Sequence, residues 1–413
     1  MLKNYFKTAI AVLRRRKFFT FISLFGIAFT LTIVTVLAAF VDNTVSANYP
    51  EVHRDRSLYI TLLKQENTKD QGQWNSPASF YYLDKYVSTL KTPEKVAISS
   101  FFNPTNAYRN GRKLAVNLKY TNAPFWEVMQ FDFIEGKPFT EQQVANGERV
   151  AVISEDTKRD YFGNAASVAG QTIEVDNQAY RVSGVVKSVP VTMPIAHADM
   201  YVPYTVSKAD YRQPTLMGNY TAVLLGRSEA DLPAMQAEYA AVVARVKPEA
   251  KGFDVFKSNA DPYLSSFLRN SPFGDTDDGG VGRAMMAGAL ILLLFMLLPA
   301  LNLVNINISR IMERSSEIGV RKAFGASGHT LVGQFIVENL ILTFLGCCIG
   351  ILVSFVAIQV INGAGLINNI HLTINGTVLG FSLIACVVFG LLSGVYPAWR
   401  MSRLQVVQAL KDR

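Results

Sequence analysis

The chain has 413 residues, half of them hydrophobic and only 17% charged, with a mean hydropathy of +0.19. That is too apolar for an ordinary soluble protein, and the length allows two or more structural units. The net charge of +8 does not describe a nucleic-acid surface: residues 42–282 carry 25 Lys/Arg against 28 Asp/Glu, and the basic excess sits in short segments beside apolar runs.

The N-terminal segment 1–17 holds Lys3, Lys7, Arg14, Arg15, Arg16 and Lys17, and residues 18–41 follow without a charge. This run exceeds the ~7–15 apolar residues of a signal peptide and meets the ~20 needed to cross a bilayer. It predicts a retained first transmembrane helix.

Residues 42–282 read as an α+β domain. Strand, helix and strand at 57–65, 79–90 and 95–102 recur as 220–227, 231–246 and 253–257. The recurrence predicts a split unit over about 50–125 and 217–270, with a subdomain inserted at about 126–216. Within the insertion, VAVIS is a strand, EDTKRDYFG a short helix ending at Gly163, and TIEVDNQAYRVSGVV a hairpin turning at Asp176-Asn177. Asn110-Gly111 marks another hairpin. GDTDDGG (274–280) reads as a flexible joint; it lacks the spacing and closing Glu of a calcium loop.

Three further apolar runs follow. Residues 284–309 are uncharged and carry Pro299, Asn302 and Asn305, placing a second span at 283–305. A third lies at 332–361, interrupted by Glu338, and a fourth at 377–399. The positive-inside rule puts the N-terminus, the 306–331 connection with Arg310, Arg314, Arg321 and Lys322, and the tail 400–413 in the cytoplasm. Residues 42–282 and the loop 362–376, which has no Lys or Arg, lie outside. The predicted fold class is membrane α-helical, with four transmembrane helices and a large α+β extracytoplasmic domain between helices 1 and 2.

Catalytic chemistry is missing from this pattern. There is no GxxxxGK[ST], HExxH or GxSxG, and His53, His197, His329 and His371 are scattered. His197 reads as a surface histidine. Cys347, Cys348 and Cys386 all fall in predicted spans, where they read as small packing residues rather than disulfide or metal ligands. The expectation is a chain that is not an enzyme and binds no cofactor or metal.

The 306–331 connection carries more information. As a helix it pairs Glu317 with Arg321 at i,i+4 and aligns Arg310 with Arg314. Ile311, Ile318 and Val320 give it apolar surface. Arg321 and Lys322 suit the negative end of the helix dipole, Gly325 a left-handed cap, and Ser327 the N-cap of the third span. Such a helix lies on the membrane surface, either as an element joined stiffly to two spans or as a plain interfacial anchor. Glu338, about one turn inside the third span, must face protein or reach the headgroup boundary. Gly26, Thr30 and Thr35 permit close approach and interhelical hydrogen bonds, predicting contact between helix 1 and helix 2 of opposite subunits.

ERSSEIGVRKAFGASGHTLVGQFIVEN closely resembles the signature of FtsX-like permease domains, an ER-x-x-EIG-x-RKA-x-GA run leading into a QF-x-x-E helix, and GVYPAWRMSRLQVVQALK resembles the same family's C-terminus. NAPFWEVMQFDFIEGKPFTEQQVANGERVAVISEDTKRDYFG and GQTIEVDNQAYRVSGVVKSVP are similar to the periplasmic core domain of MacB-like transporters. The resemblance implies a permease subunit of the mechanotransmission type in a bacterial inner membrane, dimerising as a homodimer or heterodimer and receiving an ABC ATP-binding subunit from the cytoplasm. It implies that Glu313, Arg314, Glu317, Ile318, Gly319, Arg321 and Lys322 form the ATPase-coupling element. Gly325 and Ala326 form its end, and Gln334 and Glu338 open helix 3. MacB-type members carry a nucleotide-binding domain ahead of helix 1, whereas 17 residues precede it here. A second polypeptide is therefore expected to use the ATP and Mg. The function implied is expulsion of a drug, peptide or lipid-linked substrate from the periplasmic side, with a periplasmic adaptor or outer-membrane duct left open. The alternative is FtsX-like signalling to a cell-wall hydrolase or antimicrobial-peptide sensor, or lipoprotein extraction.

Overall fold

The structure, a computed structural model, describes residues 17–109, 111–249, 251–269, 271–274, 278–312, 320, 324, 327–365 and 369–402. They fall into two compact units. One is the core domain, Thr44–Ala284 with 367–369, and the other is helical.

Helix α1 spans Lys17–Val45. The core domain begins with β1 (Ser57–Ile60), β2 (Leu63–Glu66) and β3 (Gln73–Ser76), then α2 (Phe80–Tyr82), which runs into a π-helical turn at Leu83–Val87. Next come β4 (Lys95–Ser100), β5 (Asn103–Arg109), β6 (Arg112–Thr121), α3 (Phe125–Val128), β7 (Phe133–Gly136) and α4 (Glu141–Ala145). Then follow β8 (Val150–Ser154), α5 (Glu155–Thr157, continued as a π turn Lys158–Phe162), β9 (Thr172–Val175), β10 (Gln178–Val186) and β11 (Met200–Pro203). The domain closes with β12 (Tyr220–Leu225), α6 (Leu232–Val243), β13 (Val255–Ser258) and α7 (Tyr263–Leu268). Three long helices complete the described chain: α8 (Val281–Met312), α9 (Gly328–Ala364) and α10 (Gly376–Ser402).

Ten strands form one mixed sheet in the order β1-β12-β4-β6-β11-β8-β10-β9-β5, with β7 on β10 and β5 pairing back onto β6. The β5–β6 ladder, from Asn103↔Leu118 to Arg109↔Arg112, and the Ala107↔Val175 seam between β5 and β9 close six strands into a barrel. Alternate residues of those strands, among them Val116, Leu118, Ala151, Ile153, Ile173, Val175, Val182, Met200 and Val202, fill its interior. Closure removes the free edges that would otherwise template pairing with other chains. A second apolar layer sits between β1, β12 and β4 (Leu58, Ile60, Ala222, Leu224, Ile98) and the helices α2 and α6 (Tyr82, Leu83, Met235, Tyr239).

Several expected elements are redrawn. The strand expected at 57–65 is two strands in two sheets: β1 pairs with β12, while β2 joins a small sheet with β3 and β13. The subdomain expected at 126–216 has no sheet of its own, because its strands close the barrel only with β5 and β6 from residues 103–121. The turn at Asp176-Asn177 has φ of 54° and 57° at both residues, the primed geometry that suits the strand twist. Asn110 lies outside the described residues, but Arg109↔Arg112 flank it and Gly111 has φ +76°, so β5 and β6 form the second hairpin.

In the helical unit α1 packs on α9 through Ile27, Leu31 and Cys347. A further cluster joins Ala39 to Ile358, Ile370, Leu372 and Val378. Asn362 fixes the following loop by accepting from the Leu372 amide and donating to its carbonyl, both at 2.9 Å. Helix α1 and the Val332–Ala364 part of α9 are long and apolar enough to cross a bilayer; Val281–Phe295 and Gly376–Ala385 are shorter apolar stretches among the described residues.

Candidate functional site

Of the connection between α8 and α9, only Val320, Phe324 and Ser327 onward are described; Glu313, Arg314, Glu317, Ile318, Gly319, Arg321, Lys322, Gly325 and Ala326 lie outside the described residues. Phe324 donates its amide to the Val320 carbonyl at 3.1 Å, one helical turn. The residue is 89% exposed. Ser327 takes the extended N-cap conformation and accepts the Thr330 amide, so α9 starts where its sequence predicts. One turn on, Gln334 donates to Glu338 at 3.2 Å. Glu338 is only 1% exposed, so its carboxylate faces protein and does not reach outward toward headgroups.

Of Gly26, Thr30 and Thr35, expected to meet a second subunit, Gly26 is half-buried in the single chain. Thr30 returns its hydroxyl to the Gly26 carbonyl at 2.8 Å. Thr30 and Thr35 are both buried within their own chain, so neither offers a surface to another subunit. The close approach comes from α9, whose GCCIG places Gly346 and Gly350 one turn apart. A Cβ on Gly346 would stand 2.6 Å from Ile27 Cγ2, and one on Gly350 2.9 Å from Leu31 Cδ2. That small-xxx-small spacing was legible in the sequence and marks intrachain packing. The outward face of α1 is aromatic instead, with Phe21, Phe25 and Phe29 stacked at 6.3 and 5.8 Å.

The core domain holds two buried cations that sequence reading missed. Arg54 donates through Nε to Glu51 Oε2 at 2.9 Å, with both side chains at most 4% exposed. Its Nη1 donates to the carbonyls of Thr44 at 2.9 Å and Ser46 at 2.7 Å, in the last turn of α1 and just after it. The guanidinium lies 3.5 Å over the Tyr263 ring in α7. Tyr59 of β1 donates its hydroxyl to the same Glu51 oxygen at 3.3 Å, and burial holds that phenol well above its usual pKa. Arg54 Nη2 and Glu51 Oε1 are buried without a hydrogen-bond partner.

A neighbouring brace ties the other end of the domain. Tyr59 and Asp261 exchange backbone hydrogen bonds at 2.7 and 3.0 Å, and Asp261 takes Arg269 in two-point fashion at 2.6 and 2.8 Å. Asp278 then caps α8 by accepting the Gly280 and Gly282 amides at 3.0 and 2.9 Å. A Cβ on Gly279 would stand 2.8 Å from Ser265 Cβ. The described glycines of the expected flexible joint thus permit tight packing; residues 275–277 lie outside the described residues.

Lys119, on the face of β6 that points away from the barrel, is fully buried and donates to the carbonyls of Ser100, Pro194 and Ile195 at 2.9, 3.1 and 3.0 Å. Three acceptors match the three protons of an ammonium, while burial lowers its pKa to about 7. The loop it holds also buries His197, whose Nδ1 lies 2.6 Å from the Val189 carbonyl. The expected surface histidine is therefore a core residue, because residues 189–197 fold down over the sheet. Among the described residues no group of three or more His, Cys, Asp or Glu is placed to hold a metal.

Two known domain families tile the chain. The MacB-like periplasmic core domain matches residues 20–242, over half of the chain, and the FtsX-like permease C-terminal domain matches 289–406. The chain belongs to the MacB/FtsX family of ABC permeases. Within that family it is similar to YknZ of Bacillus subtilis, an ABC transporter permease, at 24% identity over 82% of this chain and 81% of YknZ. It is also similar to the macrolide export ATP-binding/permease protein MacB of Salmonella paratyphi A, at 25% identity over 72% of this chain. It spans less than half, 43%, of that protein's length. The crystal structure of the periplasmic region of MacB from Actinobacillus actinomycetemcomitans matches 52% of this chain and 94% of that one, with 14% identity and a TM-score of 0.37.

Proposed function

We propose that this permease of the MacB/FtsX family is the membrane subunit of an ATP-driven exporter. A separate cytoplasmic ATPase, using ATP and Mg, drives movement of the core domain, which expels substrate on the extracytoplasmic side. In this reading four helices cross the bilayer, both termini are cytoplasmic, and two permease subunits work together. The observation that carries it is the tiling of the chain by a periplasmic core domain followed by a permease domain containing the ERSSEIGVRKAFGA motif. The macrolide-export name of MacB supports export over signalling.

Coupling runs through Glu313–Lys322, with Phe324 as its apolar anchor. Interface energy concentrates in a few aromatic anchors, whereas rim charges set orientation more than affinity. An aromatic residue exposed to 89% beside a charged stretch of sequence has the form of such an anchor. The test is reconstitution of the full chain with its ATPase in vesicles. Phe324→Ala should weaken subunit association roughly 30-fold or more. Reversing Glu317 and Arg321 together, which retains their mutual pairing, should leave assembly intact and uncouple ATP hydrolysis from substrate movement. Normal transport by the double-reversed protein would overturn the coupling assignment. ATP-dependent signalling without solute movement by the unaltered protein would overturn export.

A further inference from the structure

The irregular stretch between α1 and β1 poses a mechanical problem. Residues 46–53 contain no regular element, and only a 3-10 turn at Arg54–Arg56 precedes β1. A slack connection of that length would absorb displacement of the helix end before it reached the sheet. Arg54 bypasses it. Its guanidinium engages the carbonyls of Thr44 and Ser46, the Glu51 carboxylate and the Tyr263 ring. Through Glu51 it also reaches Tyr59 of β1. Only the planar fork of arginine makes hydrogen bonds in its plane while stacking on a ring. The acceptors at the end of α1 are carbonyls left orphaned by the helix, where the dipole also favours a cation.

We propose that Arg54 is a strut that ties Thr44 and Ser46, where the chain enters the core domain, to β1 and α7, a positioning residue for force transmission. The inference rests on the proposed function for its purpose, though its geometry stands apart from that reading. Hydrogen bonds of 2.7–2.9 Å cannot lengthen appreciably without breaking. Burial removes the water that would replace them, so a broken strut leaves an uncompensated charge. Displacement of Thr44 and Ser46 is therefore delivered to Tyr263. From α7 it passes through the Asp261–Arg269 pair and the close Gly279–Ser265 packing to the capped start of α8. The unpartnered Nη2 and Oε1 are the two atoms that would complete a side-on, two-point bridge between Arg54 and Glu51. The strut has forgone that bridge while it holds the helix carbonyls.

The experiment uses the full chain in lipid nanodiscs, with its three native cysteines replaced by alanine. Spin labels go on Val45→Cys and Phe267→Cys, both exposed. Arg54→Met alone risks unfolding by stranding Glu51, so the test variant is Glu51→Leu/Arg54→Met, which removes both charges. The distance distribution between the labels, narrow in the parent, should broaden about twofold in the double variant. Arg54→Lys should lie between them. An unchanged width in the double variant overturns the strut. This readout needs neither nucleotide nor ATPase, so its failure is distinct from failure of the export reading. Reconstituted with ATPase, the double variant should assemble and hydrolyse ATP while ATP-driven transport falls roughly tenfold. Full transport despite a broadened distribution overturns the positioning role.

Discussion

In the core domain a cluster of large aromatic rings turns inward. Trp126 stands 5.3 to 5.6 Å from Phe125, Phe131, Phe133, Phe139 and Tyr201, and these rings share one buried cluster with Tyr59 and Tyr263. In the helical unit most of the described ones turn outward: Phe18, Phe21, Phe25 and Phe29 of α1, Phe295 of α8, and Phe344 and Phe355 of α9 are exposed in the single chain, while Phe335 is buried. The same residue type thus serves two solvents. The core domain completes much of its apolar packing with its own chain, whereas the described helices leave an apolar surface of the kind that lipid covers. Both units bury polar groups, Glu338 in the helical unit among them. The core domain buries Arg54, Lys119 and Asp261 inside hydrogen bonds, while hydroxyls of the helices fold back onto backbone carbonyls, as Thr30 on Gly26 and Ser354 on Gly350 do.

The largest blow to this contrast falls on the inward cluster. Trp126→Ala should cost about 3–5 kcal/mol, read as a lowered urea midpoint of the purified chain followed by its β-sheet circular dichroism. A loss near that of an exposed aromatic would show that the cluster does not organise the domain. Gly346→Leu should cost about 1–3 kcal/mol by forcing α1 from α9. Loss of protease resistance in the α1–α9 pair in vesicles reports the separation, and unchanged resistance would show that the glycine contact does not hold the two helices together.

Lys119 tests the buried polar groups through pH. Its native pKa is lowered to about 7 by burial, so between there and the ordinary lysine range the unfolded chain binds more protons at this position. Native stability should rise with pH across that window. Lys119→Met should flatten the rise, measured as unfolding midpoints from about pH 6 to about pH 10; parallel curves for the two proteins would show that the ammonium is fully compensated by its three carbonyls. The smallest effect is expected at the surface pair Lys187–Asp132, each side chain 57% exposed. Asp132→Ala should leave the unfolding midpoint unchanged within the scatter of repeat measurements, and a clear shift would show that this pair is coupled to the buried core.

Much of the core domain was legible because its strands carry strong local signals. VAVIS, the Asp176-Asn177 turn and the strand-helix-strand order each depend on neighbours a few residues away. Barrel closure was not: Asn110-Gly111 announces the β5–β6 hairpin, but nothing local announces that β5 also reaches β9 or that β6 pairs in parallel with β11. The same distance effect hid the strut: Arg54 and Tyr263 are far apart in sequence, and an arginine after a helix reads as a solvated charge. The burial of Thr30 and Thr35 within their own chain was not legible, because a single helix shows which residues are small but not which face meets its own chain. The GCCIG spacing in α9 carried that information.

The paired backbone of Tyr59 and Asp261 has a consequence for how such a protein is assembled over evolutionary time. Tyr59, early in the core domain, and Asp261, late in it, form one antiparallel bridge, so its entering and leaving segments run side by side through a single doorway. A module with adjoining ends behaves as a cassette, and it can be lengthened, exchanged or lost without rerouting the chain that carries it.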